Sequence, residues 1–174
     1  MSTVNPTPSK LIVTDRGQVY EMAAEDRDAI LHAIAHYDDS RAASIDALKI
    51  VQRRHGWVPD GAIAVIGKLL NIPGSDVEGV ATFYNRIYRQ PVGRHVIAVC
   101  DSISCFLMGS DQIYGQLQSK LGIKPGQTTK DGRFTLLPIC CLGACDRGPV
   151  LMVNDNTHFN ISVETLDQLL EQYK

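Results

Sequence analysis

The stretch His95-Val-Ile-Ala-Val-Cys100-Asp-Ser-Ile-Ser-Cys105 runs from a short β-branched apolar segment directly into a turn that carries two cysteines. Bounded by turn residues, His95–Val99 reads as a buried strand. A helix is expected over Asp111–Leu121, where Ile113, Leu117 and Leu121 recur at four-residue intervals. Phe134–Leu137 reads as a second strand and Val150–Val153 as a third. Asn154-Asp-Asn156 signals a turn, so His158–Ile161 is expected to be the hairpin partner of the third strand. Ser162 then caps a last helix that buries Leu166, Leu169, Leu170 and Tyr173. This β-α-β-β-β-α order over 93–174 describes an α/β sandwich.

Before Gly93 the pattern is helical. Ile30, Ile34 and Tyr37 form one stripe, and Asp38-Asp-Ser40 offers caps for the next helix. Ile45, Leu48 and Val51 mark a second helix that Gly56 ends. Ile63, Ile66 and Leu70 mark a third. Val77, Val80, Ala81, Tyr84 and Tyr88 mark a fourth. Short connections favour antiparallel packing, so residues 24–92 are expected to form a small helical bundle. The Pro-, Ser- and Thr-rich opening, within 1–23, reads as a disordered or extended tail.

The chemistry rests on cysteine spacing. Cys100-x4-Cys105 and Cys141-x3-Cys145 place two close pairs about 35 residues apart in sequence. They follow the first and second strands, the edge where open α/β sheets bind ligands. Four thiolates are the minimum set for a structural zinc or an iron–sulfur cluster, and spacing alone leaves both open. Cys140 adds an ambiguity: its spacer to Cys145 is four residues, matching the first pair, so arithmetic does not choose between Cys140 and Cys141.

Cys141-Leu-Gly-Ala-Cys145, the Gly148-Pro149 just after it, the paired spacing and the upstream Asp76-Val-Glu-Gly-Val-Ala-Thr-Phe-Tyr84 form a recognisable set. Together they resemble the family of thioredoxin-like 2Fe-2S subunits (the E subunits) of bacterial respiratory complex I, the NADH:quinone oxidoreductase. The resemblance runs from about Ala24 to Lys174. It implies an α+β chain: an N-terminal helical bundle followed by a thioredoxin-like α/β 2Fe-2S ferredoxin domain. It also implies one 2Fe-2S cluster held by Cys100, Cys105, Cys141 and Cys145, with Cys140 a buried neighbour. The implied partners are a flavin- and NADH-binding subunit and further peripheral-arm subunits. The implied location is cytoplasmic, peripheral to the inner membrane through the complex, with no catalytic activity in the isolated chain. Two other readings stand beside it: the equivalent subunit of a soluble NAD-linked hydrogenase or formate dehydrogenase, and a zinc-stabilised interaction module without redox function.

Composition narrows the classes further. A net charge of -2 gives no electrostatic footprint for nucleic acid. No stretch approaches the roughly 18–20 apolar residues of a membrane span, and the opening lacks the basic start and apolar run of a signal peptide. In a cytoplasmic setting, five cysteines point to metal or redox ligation rather than disulfides. No Gly-x-Gly-x-x-Gly follows a strand, so the chain has no nicotinamide- or flavin-binding loop of its own. Gly143 and Gly148 read as turn formers with positive φ. Thr82, Phe83 and Tyr84 read as core by their helical spacing, and His55, Trp57 and His158 as non-ligands.

Overall fold

The computed structural model describes residues 12–15 and 18–174, with side chains from Tyr20 onward. Contacts divide the chain into two compact units, with the break between Pro91 and Val92.

The first unit opens with a hairpin, β1 (Ile12–Asp15) antiparallel to β2 (Gln18–Glu21). The tail expected over 1–23 therefore contains paired strands, while residues 1–11 lie outside the described ones. Four-residue strands are too short for alternation to stand out in sequence, and this hairpin packs on a helix that lies far from it along the chain. Four helices follow: α1 (Ala24–Ile34), α2 (Ser44–His55), α3 (Asp60–Leu70) and α4 (Gly74–Phe83). Gly56 and Asn71 end α2 and α3 in the left-handed region, with φ of 79° and 55°. Ile30, Leu48, Val51, Ile66 and Leu70 are fully buried in one shared core. Buried Asp26 is neutralised by Arg54, which donates to both carboxylate oxygens. Arg89 donates to the Val58 carbonyl and to Glu78 and Asp60, joining two helices and a loop.

Two expected stripes run too far. Tyr37 lies beyond α1, exposed, and donates to Asp46 at 2.8 Å. Tyr84 has left the helical region, at φ −87° and ψ 103°, so α4 stops before it and Tyr84 and Tyr88 do not extend the stripe. Phe83 (79% exposed) and Tyr84 stack edge-to-face at the surface, which corrects their reading as core.

Gly61, inside α3, meets the hairpin at close range. A Cβ there would come within 2.3 Å of Tyr20 Cβ. Alanine in a helix interior is ordinarily favoured over glycine by about 1 kcal/mol, so the substitution sets propensity against packing. Overpacking wins: Gly61→Ala is expected to destabilise the first unit by about 1–3 kcal/mol, read as a lowered urea midpoint. A raised midpoint would show that the hairpin moves aside freely.

The second unit is a four-stranded sheet in the order β4-β3-β5-β6. It comprises β3 (His95–Cys100), α5 (Ile103–Leu107), α6 (Ser110–Leu121), β4 (Phe134–Ile139), β5 (Leu151–Val153), β6 (Asn156–His158) and α7 (Leu166–Glu171). β3 and β4 are parallel, joined across α6; β5 and β6 run antiparallel to their neighbours. Pro138 sits on β4, an edge strand, where its missing N–H breaks no ladder. The hairpin partner begins two residues earlier than expected. Asn154 adopts φ 55°, which closes a two-residue turn and pairs Val153 with Asn156. Ile97, Leu117, Leu136, Leu151 and Leu166 fill a core of their own. His158 Nε2 lies 2.8 Å from the Tyr173 hydroxyl, so its partner is an aromatic hydroxyl and not a cysteine.

Candidate metal centre

Parallel pairing decides where the cysteines meet. Cys100 lies opposite Ile139, so the segments leaving β3 and β4 emerge side by side at one sheet edge. The segment after β3 turns at Ser102 into the five-residue α5, which carries Cys105. The segment after β4 turns at Gly143, φ 79°, and enters a 3-10 turn at Cys145–Arg147. It returns to the sheet where Cys100 N–H donates to the Val150 carbonyl at 3.1 Å.

The sulfurs are paired. Cys141 Sγ and Cys145 Sγ are 3.3 Å apart, and the Gly143 N–H donates to Cys141 at 3.3 Å. Cys100 Sγ lies 3.2 Å from the Ser102 hydroxyl and shares a hydrogen bond with Cys105. Burial pushes the Cys100 thiol up, but hydrogen bonds from Ser102 and from the Leu142 N–H outweigh it, leaving a net lowering. Cys105 is raised, first by burial and then by its bond to Cys100. The Gly143 N–H, then Cys145, lower Cys141; Cys145 is raised by its bond to Cys141. Each pair thus has one thiol whose pKa is lowered and one whose pKa is raised.

Cys100 with Cys105 and Cys141 with Cys145 form two close thiol pairs, and four thiols so paired suit the two iron ions of a 2Fe-2S cluster. The cradle is built to match. Gly148 has φ −68°, so the expected positive φ is absent there; its lack of a side chain serves close approach instead. A Cβ at Gly148 would come within 2.9 Å of Met108 Sδ and 3.4 Å of Cys105 Sγ. The donor set and the cradle fit a 2Fe-2S cluster, and the chain matches the thioredoxin-like 2Fe-2S ferredoxin family over residues 30–174.

The chain belongs to that family.

Two relatives extend the match. The protein is 59% identical over 157 residues to the E subunit of NADH-quinone oxidoreductase from Escherichia coli (strain K12), spanning 90% of this chain and 95% of that protein. It is 57% identical over 165 residues to the E subunit of NADH-quinone oxidoreductase from Pseudomonas aeruginosa, spanning 95% of this chain and 98% of that protein. In fold it is similar to part of an NAD+-reducing NiFe hydrogenase in the air-oxidised state, with a TM-score of 0.61 and 22% identity. That likeness covers 77% of this chain and 22% of the hydrogenase chain.

For a member of the thioredoxin-like 2Fe-2S ferredoxins, Cys140 is unexpectedly exposed. Its expectation as a buried neighbour fails because it leaves β4 just after the buried Ile139. Pro149 follows Gly148 through a cis peptide. Ser102 and Ser104 escape a reading by sequence, although Ser102 bonds Cys100 and Ser104 acts on Cys145. Their one signal is the repeat Ser-Ile-Ser between the first two cysteines. Equally silent are Ile103, Phe106, Leu107 and Met108, four exposed apolar side chains flanking Cys105.

Proposed function

We infer that this chain is the 2Fe-2S electron-transfer subunit of an NADH:quinone oxidoreductase, with no catalytic activity in isolation. One observation carries the reading: paired thiols at the shared edge of β3 and β4, in a chain 57–59% identical to E subunits of NADH-quinone oxidoreductases over most of its length. When bound, the cluster takes up and releases one electron at a time. The ligands proposed are Cys100, Cys105, Cys141 and Cys145. The protein's own part is to hold the paired sulfurs, to aim N–H and O–H donors at them from Ser102, Leu142 and Gly143, and to shield the Cys100 pair from bulk water.

The proposed organisation is a helical bundle over 24–92 and a thioredoxin-like cluster domain over 93–174. The proposed setting is the cytoplasmic face of the inner membrane, reached through the complex. Among the described residues no helix is long and apolar enough to cross a membrane. The proposed partner is the flavin- and NADH-binding subunit of that complex. Support comes from the apolar face beside Cys105, where Leu107 is 77% and Ile103 70% exposed. Contiguous apolar surface of this kind marks an interface, and here it would bring a partner's donor group close to the sulfurs.

The test has two arms. Anaerobically purified protein is expected to hold two irons and two sulfides per chain and, mixed with the NADH-binding subunit, to be reduced by NADH. Leu107→Asp is expected to weaken that association at least about tenfold, since a charge would be buried unpaired, while iron content stays unchanged. A colourless chain binding zinc would end the functional reading; unaltered association of Leu107→Asp would remove α5 from the interface.

A further inference from the structure

His32 and His36 stand one helical turn apart at the C-terminal end of α1, both exposed. Their rings meet edge-on, with centroids 4.7 Å apart and planes at 62°. The chain tightens there: the His36 N–H turns to the Ala33 carbonyl at 3.1 Å. The His36 ring takes up the His32 carbonyl, with Nδ1 donating at 2.8 Å. A carbonyl only accepts, so the proton of the neutral ring sits on Nδ1 and its lone pair on Nε2. Metal-binding histidines are held in this way, one ring nitrogen donating to a carbonyl while the other faces the ion. The negative end of the helix dipole favours a cation at the same place.

We propose that His32 and His36 form a chelating site for a late first-row divalent cation. Neutral imidazole suits Ni²⁺, Cu²⁺ and Zn²⁺, whereas Mg²⁺ and Ca²⁺ prefer oxygen. Nitrogens about 2.0–2.1 Å from one ion are within reach of two rings already in contact. Both side chains are exposed, so a rotamer change brings them onto the ion without disturbing the core. Among the described residues no third ligating side chain gathers with them, so water completes the shell. The bound ion clips the last turn of α1 to the residues that follow it, and its binding adds to the stability of the first unit. The site lies wholly within that unit, so it does not depend on the 2Fe-2S reading.

The test is a calorimetric titration with Ni²⁺ of the full chain, unaltered and as His32→Gln and His36→Gln. Ni²⁺ is expected to bind at this pair, and either substitution should weaken that binding at least about tenfold, the lower bound for altering residues that merely orient a ligand. The cysteines are the same in all three proteins, so the difference isolates the pair. His32→Gln leaves the Nδ1 hydrogen bond of His36 in place, so its loss of affinity reports a lost ligand and not a frayed helix end. On the unaltered chain the affinities should run Ni²⁺ over Co²⁺ over Mn²⁺, with Mg²⁺ failing to compete. Binding that survives both substitutions, that falls with only one of them, or that Mg²⁺ displaces overturns the proposal, as does the absence of Ni²⁺ binding to the unaltered chain.

Discussion

Serine at Cys141 is expected to remove the cluster almost completely, whereas serine at Cys140 leaves it in place. The two residues are neighbours and spacing does not separate them; the surroundings of their sulfurs favour Cys141 as the proposed ligand. Cys141 Sγ faces Cys145 Sγ at 3.3 Å and receives the Gly143 N–H. Cys140 is exposed, and among the described residues no hydrogen bond joins its thiol to the other four. A serine hydroxyl is a poor, hard donor for iron where a soft thiolate is needed. Loss of a ligand should therefore exceed the roughly 10–100-fold cost of altering residues that merely orient ligands. The same collapse is expected for serine at Cys100, Cys105 and Cys145. Iron and sulfide analysis with visible absorption on each variant checks this. Retention in Cys141→Ser with loss in Cys140→Ser would reverse the assignment.

How much of this is legible in the sequence depends on the range over which each signal acts. β3 is readable because its apolar run is short, β-branched and bounded by turn residues, which together separate a buried strand from a helix segment. The edge where the cysteines meet follows from strand order, and the parallel register of Cys100 with Ile139 gives that edge its geometry. Periodicity, by contrast, says nothing of where a helix stops. Tyr84 continues the spacing of α4, yet its backbone has already turned extended and its ring is at the surface. β6 starts earlier than the turn residues suggest because the turn forms at Asn154, in the left-handed region, and not after Asn156.

The site shows the same limit. Cysteine spacing is local and therefore readable. The role of Gly148 is not, because it depends on Met108 and Cys105 approaching from a distant part of the chain. The five-residue α5 is too short to display a stripe, so its exposed apolar side chains carry no pattern to detect.

Removing the iron is expected to loosen two segments selectively, Ser102–Met108 and Cys141–Gly148, and to leave both larger cores protected. The reason lies in how little apolar contact holds those segments. Their cluster of buried side chains comprises Cys100, Cys105, Ala144 and Val150, with Leu142 and Phe159 packed against it. The sheet core around Ile97, Leu117, Leu136 and Leu151 is separate and larger, and the first unit has its own core around Leu48, Ile66 and Leu70. Two of the four proposed ligand sulfurs, those of Cys141 and Cys145, are exposed on the segment after β4, so bonds to iron would tie that segment to α5 where protein contacts are sparse.

Local opening free energies set amide exchange rates, and each loss of about 1.4 kcal/mol is a factor of ten. Exchange in the two segments should therefore accelerate at least about tenfold in the apoprotein. Amides of β3 up to Val99, and of β4, α6 and α2, should keep their rates to within about threefold, because none of their buried side chains loses a neighbour. Acceleration spread evenly through Ile97 and Leu136 would mean that the centre holds the whole second unit together. No acceleration anywhere would mean that Ser102, Gly143 and the Val150 carbonyl order the two segments without it. Either result overturns the selective coupling of the centre to these two segments.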